Sequence, residues 1–156
     1  IPPQRAPIAL RRAGLAAAGA DWCPVDFRSY ESTLAPGVHV LGDAIASAPG
    51  LPKSGHMANQ SGKVCAAAVV AASLGAPIPN DPVIANTCYS FVSSSEAMHV
   101  AGVYRYDAEK RTMAVVKGAG GLAKTASSTE AVHAIGWAYN ILHAAFGSTF
   151  ALQVQT

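Results

Sequence analysis

The sequence predicts an α/β piece, residues 1–80, joined to an α+β piece, residues 81–156, with a small antiparallel sheet and a terminal helix. Three observations predict this class. A capped helical segment follows a short apolar run in the first piece. Three strand-like segments and a final amphipathic helix follow in the second. A crossover rich in proline, with Pro77, Pro79 and Pro82, separates the two pieces.

In the first piece, residues 7–19 suit a short helix rich in Ala and Leu that ends at Gly19. Residues 25–29 form a weak strand candidate. The run from Val38 to Leu41 is predicted to be a buried strand that stops at Gly42-Asp43. Such a strand delivers a carboxylate at its C-terminal end, where open α/β sheets bind ligands.

A long helix should follow this strand. Ser54 suits its N-cap, and the helix should run to about Leu74, since Gly75 and Pro77 stop it. The small residues along it indicate close packing against a sheet or a cofactor.

The second piece reads as an antiparallel meander and a helix. Strands are expected at Thr87–Val92, Met98–Tyr106 and Thr112–Val116, with residues 107–110 as a hairpin loop. Residues 118–128, which are largely Gly, Ala and Ser, are expected to form a loop. A helix from Ala131 to Phe146 should begin near Glu130 and close at Gly147.

Charge excludes some functions. The chain has 11 Lys plus Arg, 9 Asp plus Glu, and a net charge of +2, which is too even for a nucleic-acid-binding protein. Its longest apolar stretch, from Val64 to Leu74, is too short to span a bilayer. Only 13% of its residues are charged, against about 25% in ordinary soluble domains. We therefore expect the surface to expose an apolar patch or to be covered by a partner.

The three cysteines have no metal-ligand spacing and no CxxC motif. Cys65, which lies among Ala and Val in a helix, is expected to be inert packing. Cys88 begins a strand among polar neighbours, so it is the candidate functional cysteine, and its mate would come from a segment outside this chain. The role of Cys23 is open.

The segment from Thr33 to Asp43 carries the clearest motif. A threonine, four free positions, a short apolar strand and Gly-Asp resemble the second FAD fingerprint of the flavoproteins with two dinucleotide-binding domains. Gly42 would let the backbone approach the cofactor, and Asp43 would accept hydrogen bonds from ribityl hydroxyls. His39 and Val40 depart from the aromatic and small residues usual there. An ordinary strand ending in a Gly-Asp turn is the alternative interpretation.

The helix that starts at Ser54 supplies the next candidates. A helix N-terminus presents N–H groups and about half a positive charge, which would stabilise reduced flavin at N1 and O2. Lys53 would add a full charge there, or else be a solvated lysine. The candidate cofactor-binding residues are Gly42, Asp43, Lys53, Ser54, Gly55 and Asn59.

Several short motifs in order resemble the flavoprotein subunit of flavocytochrome c sulfide dehydrogenase. They are residues 21–26, 38–44, 52–55, 62–63 and 86–90, and the final helix with Trp137. The resemblance spans nearly the whole chain and implies the C-terminal part of a two-dinucleotide-binding-domain flavoprotein. The FAD phosphate loop and the other cysteine of a redox-active disulfide would then lie upstream.

The resemblance also implies a function. The family oxidises sulfide in the periplasm and passes electrons through FAD to a c-type cytochrome subunit. Cys88 sits where the family has one cysteine of its redox disulfide, and Trp137 where it has an aromatic residue near the flavin; a core tryptophan is equally compatible. The alternatives are a sulfide:quinone or NADH:quinone reductase of the same superfamily, or a non-catalytic interface fragment. A membrane-docking reductase is disfavoured because residues 131–146 contain no Lys or Arg.

Overall fold

The computed structural model describes residues 5–147, which form two compact units. Within that range, the first unit comprises residues 5–86 and 103–117, and the second comprises residues 87–102 and 118–147. Three strands run through both units. The mixed α/β character and the small antiparallel sheet confirm the predicted fold class, while the domain boundary between residues 80 and 81 stays a prediction.

The beginning of the first unit is less regular than predicted. Helix α1, Ile8–Arg12, has five residues, and the predicted helix over residues 7–19 is wrong beyond it. Gly14 and Gly19 both have positive φ, at 76° and 80°, so the chain turns where the helix was expected to continue. Strand β1, Val25–Asp26, pairs antiparallel with β2, Glu31–Ser32, and is shorter than the predicted strand.

The run Val38–Leu41 is not the predicted buried strand. It makes one antiparallel bridge, between His39 and Glu31, and two neighbouring backbone hydrogen bonds flank that bridge. Val40 is buried, but Val38 and Leu41 are each 40% exposed. The segment pairs on one side only and over few residues, and it buries one apolar side chain. It is therefore not a buried strand of a parallel sheet. A short 3₁₀ helix, Gly42–Ala44, follows it.

Helix α2, Gly55–Ser73, confirms the prediction for this segment. Ser54 is its N-cap, and the helix ends at Leu74, before Gly75 with φ 65°. Its buried side chains, spaced four, four and three residues apart, form one stripe that packs into the first unit. That stripe is Met57, Ser61, Cys65 and Ala68.

The sheet has the order β3-β4-β5, with β3 at Val83–Phe91, β4 at Ala97–Asp107 and β5 at Thr112–Leu122. The predicted hairpin loop at residues 107–110 is confirmed, and the Lys110 N–H donates to the Asp107 carboxylate. The predicted loop over residues 118–128 is wrong, because β5 continues through the glycines. A Cβ on Gly120 would lie 2.5 Å from the Ala101 carbonyl oxygen. The glycine thus permits this close approach between strands.

Helix α3, Ser128–Phe146, confirms the predicted terminal helix. The Ser127 hydroxyl accepts a hydrogen bond from the Glu130 N–H, and Gly147, with φ 77°, ends the helix. Ala131 and Ala134 are buried against Ala97 and Tyr89 in a small core of the second unit. Between residues 5 and 147, no helix is long and apolar enough to cross a membrane.

Large apolar side chains are exposed on each major element, as the low charge content predicts. The exposed fraction is 76% for Leu74 on α2, 68% for Leu122 on β5 and 68% for Val132 on α3. These are fractions for the chain by itself.

Candidate functional site

Ser54 ties the start of α2 to the sheet. Its hydroxyl oxygen accepts a hydrogen bond from the Met57 N–H at 3.1 Å, which is the N-cap interaction. The same hydroxyl donates to Oδ1 of the buried Asn86, in β3, at 2.6 Å. One side chain therefore fixes both the first turn of the helix and its position against β3. The N-cap could be predicted from the sequence, whereas its partner on the strand could not.

Lys53 fastens the 3₁₀ helix to the beginning of α2. Its Nζ donates to the carbonyl oxygens of Asp43, at 2.9 Å, and Ile45, at 2.6 Å. The ammonium also lies 3.9 Å from the centre of the Trp22 ring, a cation–π contact. Burial lowers the pKa of Lys53, although the nearby Asp43 carboxylate opposes this. Lys53 is thus not simply solvated, because it holds the segment that carries Asp43.

Gly42 brings the 3₁₀ helix into contact with α2. Its φ is 64°, and a Cβ there would lie 3.2 Å from the Cβ of Ala58. Its N–H also points to the Ser61 hydroxyl at 3.4 Å. The close approach that the glycine permits is therefore to the helix. The neighbouring Asp43 is exposed.

The space between these segments is small. A cavity of about 10 Å³, lined by Gly42, Asp43, Lys53 and Ser61 among others, has room for about one water molecule. Gly55 is exposed at the first position of α2, and Asn59 is half-buried one turn further on. The Asp43 carboxylate and the start of α2 at Gly55 are thus the exposed groups of the predicted site, and a cofactor could reach them.

Cys88 and Trp137 both belong to the second unit. Cys88 is half-buried in β3, and because side chains alternate along a strand it shares a face with Asn86. Tyr89 points to the other face, where its ring centre lies 6.0 Å from that of Trp137. Trp137 is thus on the side of β3 opposite the Cys88 side chain.

A histidine–carboxylate pair joins the sheet to α3. Nδ1 of His99, on β4, lies 2.8 Å from Oε2 of Glu130, in the first turn of α3. The His99 ring also contacts Tyr89 edge-on, with 6.2 Å between ring centres. This polar and aromatic cluster of Tyr89, His99, Glu130 and Trp137 was not predicted. Nothing in the sequence pairs an isolated strand histidine with a distant glutamate.

The other two cysteines are enclosed. Cys23 has no exposed surface and Cys65 is 7% exposed, and burial raises the pKa of both thiols. Cys65 has the core position predicted for it, and the structure places Cys23 in the same core of the first unit. Among the described residues, no group of three or more His, Cys, Asp and Glu side chains could hold a metal ion.

A family model matches part of the chain, and the matched family suggests a class of protein: the flavin-dependent oxidoreductases. The matched family is described as flavocytochrome c sulphide dehydrogenase, flavin-binding, and the match covers residues 80–146. That range contains β3, β4, β5 and α3, with Cys88 and Trp137.

The match supports the resemblance found in the sequence over residues 80–146, which contain the motif at residues 86–90 and the final helix. The matched domain is a flavin-binding domain of a flavoprotein, which is consistent with FAD as the cofactor. The family name implies a cytochrome partner and an N-terminal portion of the flavoprotein. Gly42, Asp43, Lys53, Ser54, Gly55 and Asn59 precede the matched range, and their role in binding FAD stays a prediction.

Proposed function

We propose that this chain is the C-terminal part of an FAD-dependent sulfide dehydrogenase that works in the periplasm and passes electrons to a c-type cytochrome. The observation that carries the proposal is the family match over residues 80–146, the segment in which Cys88 lies half-buried on a strand. The upstream part of the flavoprotein would supply the phosphate-binding loop and a second cysteine.

The first unit contributes the polar surface for the cofactor. The N-terminus of α2 offers its positive dipole end to the flavin edge that becomes negative on reduction. The exposed Asp43 carboxylate accepts hydrogen bonds from ribityl hydroxyls. Lys53 has a positioning role. Its hydrogen bonds to the carbonyl oxygens of Asp43 and Ile45 hold the 3₁₀ helix, and with it the Asp43 carboxylate, beside α2. Ser54 keeps the helix start in place through Asn86.

Cys88 supplies one sulfur of a redox-active disulfide. Hydrosulfide attacks a disulfide sulfur, so that a new sulfur–sulfur bond forms, the cysteine–cysteine bond breaks and the other cysteine leaves as a thiolate. A second hydrosulfide takes the outer sulfur as hydrogen disulfide, so that both cysteines are left as thiolates. FAD, when bound, would supply the two-electron acceptor that lets these thiolates re-form the cysteine–cysteine bond. The electrons would then pass singly to the cytochrome.

Trp137 and its partner Tyr89 position the strand that carries Cys88. Their ring contact packs α3 on the face of β3 opposite the cysteine. Replacing Trp137 should therefore disturb Cys88 through the backbone of β3. A ring that instead stacks on the flavin would be detected by a change in the flavin absorption spectrum.

The central test is anaerobic bleaching of flavin absorbance by sulfide, measured on the complete flavoprotein. Cys88→Ser should retain FAD but lose sulfide-dependent bleaching. The matched control, Cys65→Ala, should bleach at the normal rate because Cys65 lies in the core of the first unit. Normal bleaching in the Cys88 variant would mean that sulfide reduces the flavin without this sulfur, and the disulfide mechanism would be wrong.

The electron acceptor needs its own measurement. The reduced flavoprotein is mixed in turn with a c-type cytochrome and with a soluble quinone, and flavin reoxidation is followed. Fast reoxidation by the cytochrome alone supports the proposal. Fast reoxidation by the quinone alone would assign the protein to the quinone reductases of the same superfamily.

A further inference from the structure

Helix α3 carries an apolar stripe beside the side that packs on the sheet. Its members recur at intervals of three, four and three residues, so they lie in one line along the helix. The stripe consists of Val132, Ile135, Tyr139 and Leu142. The first two side chains are exposed and the last two are half-buried. A line of apolar side chains thus extends over about 15 Å of the helix outside its contact with the sheet.

The middle of the stripe borders a groove of about 180 Å³. The groove is lined by Ile135, Ala138, Tyr139 and Leu142, which all belong to α3. Four residues with this spacing form the hole that receives one side chain of a neighbouring segment when helices pack together. The small side chain of Ala138 leaves the space between the larger ones. The stripe therefore has the shape of a packing surface for another part of a protein.

Within the second unit, α3 is covered only slightly. Against the described residues 5–147, the helix buries two side chains, and both are alanines, Ala131 and Ala134. Helices in proteins owe most of their stability to the packing of an apolar face. A helix that is apolar over most of its circumference is normally covered on more than one side. We therefore expect the segment that covers the stripe to be present whenever α3 is folded.

The chemistry of the stripe favours a permanent partner over a transient one. Residues 131–146 contain no Lys, Arg, Asp or Glu. Encounters between redox proteins bury little surface and are steered by charge, whereas permanent interfaces are larger and more apolar. A symmetric pair of α3 helices would rely on charges beside the stripe to fix its register, and this segment has none. These properties disfavour both the cytochrome and a second copy as the occupant.

We propose that the stripe is the docking surface for the upstream portion of the same flavoprotein, which lays an apolar segment along α3. The name of the matched family implies such a portion. A segment of the same polypeptide is also present whenever the chain folds, as the slight packing of α3 requires. The inference rests on the proposed function, in which this chain is the C-terminal part of the flavoprotein, and it assigns the surface by which the two parts are joined.

The test uses the complete flavoprotein and replaces Tyr139 by the photo-crosslinking residue benzoylphenylalanine. After irradiation, the peptides joined to α3 are identified by mass spectrometry, with and without the cytochrome subunit. We expect crosslinks to a peptide upstream of Ile1 in both samples. The matched control carries the same group in place of Asn140, an exposed residue of α3 outside the stripe, and should lose these crosslinks.

A second measurement applies if the variant at position 139 does not retain FAD. Ile135→Cys places a thiol on the stripe, and Asn140→Cys places one outside it. In the complete flavoprotein, iodoacetamide should label position 135 at least about tenfold more slowly than position 140, because a covered thiol is shielded. Equal labelling rates would contradict the docking.

The outcomes separate the occupants. Crosslinks only to the cytochrome, only to a second copy or only to residues 1–156 would overturn the proposal, as would equal crosslinking from positions 139 and 140 or none at all. Bleaching of the flavin by sulfide is measured on the same protein before irradiation. Upstream crosslinks in a protein that does not bleach would support the docking and contradict the sulfide chemistry alone. Normal bleaching without upstream crosslinks would contradict the docking alone.

Discussion

Replacing Gly42 with alanine tests the contact that places Asp43 beside α2. The left-handed backbone at φ 64° costs a residue with a Cβ about 1–2 kcal/mol. The new methyl would lie 3.2 Å from the Ala58 Cβ, so the 3₁₀ helix or α2 must shift. Overpacking of this kind costs about 1–3 kcal/mol. We therefore expect Gly42→Ala to destabilise the protein by about 2–5 kcal/mol and to weaken FAD binding.

Two other glycines provide matched controls. Gly37 also has a positive φ, 76°, but a Cβ there meets nothing within 4 Å, so Gly37→Ala should cost about 1–2 kcal/mol from backbone strain alone. Gly62, inside α2, has neither constraint, so Gly62→Ala should stabilise the helix by up to about 1 kcal/mol. The difference between Gly42→Ala and Gly37→Ala therefore isolates the packing cost.

The measurement is urea unfolding of the complete flavoprotein, followed by flavin fluorescence and by far-ultraviolet ellipticity. FAD affinity of each variant is measured separately. Equal destabilisation by Gly42→Ala and Gly37→Ala, within roughly 0.5 kcal/mol, would show that the contact with Ala58 has no energetic role. Unchanged FAD affinity in a destabilised Gly42→Ala protein would separate this turn from the cofactor site.

Three further results are expected. Burial raises the pKa of Tyr30 to about 12. The folded state therefore binds more protons than the unfolded one between pH 10 and 12, and over that range stability should fall by about 2–3 kcal/mol more than in Tyr30→Phe, in which only the buried thiols contribute. Ser54→Ala should cost roughly 2–4 kcal/mol in urea unfolding, because α2 loses its cap and Asn86 loses a donor; Ser54→Thr should largely restore it. In the reduced protein, iodoacetamide should label Cys88 at least about tenfold faster than the buried Cys65; equal rates would contradict the assigned burial.

Elements whose signals are local could be predicted from the sequence. Helices α2 and α3 each begin at a serine cap and end near a glycine, and these signals occur within a few residues of the helix. The hairpin between β4 and β5 is similarly set by its own turn residues. The resemblance to the flavocytochrome family rests on several short motifs, and the family match supports it over residues 80–146.

Elements that depend on distant partners could not be predicted. The run Val38–Leu41 reads as a buried strand, but β2 pairs with it only briefly. The glycines of β5 read as a loop because glycine weakens strands, yet the Ala101 backbone needs that free space at Gly120. Lys53 reads as a solvated or cofactor-facing charge, because its carbonyl partners on the 3₁₀ helix are visible only in three dimensions.

The exposed apolar side chains of α2, β5 and α3 have a consequence for how the protein is made in the cell. A polypeptide that emerges from the ribosome with Leu74, Leu122 and Val132 uncovered is a substrate for chaperones and proteases until another surface covers them. We therefore expect the yield of this chain to rise when it is expressed together with the rest of its flavoprotein.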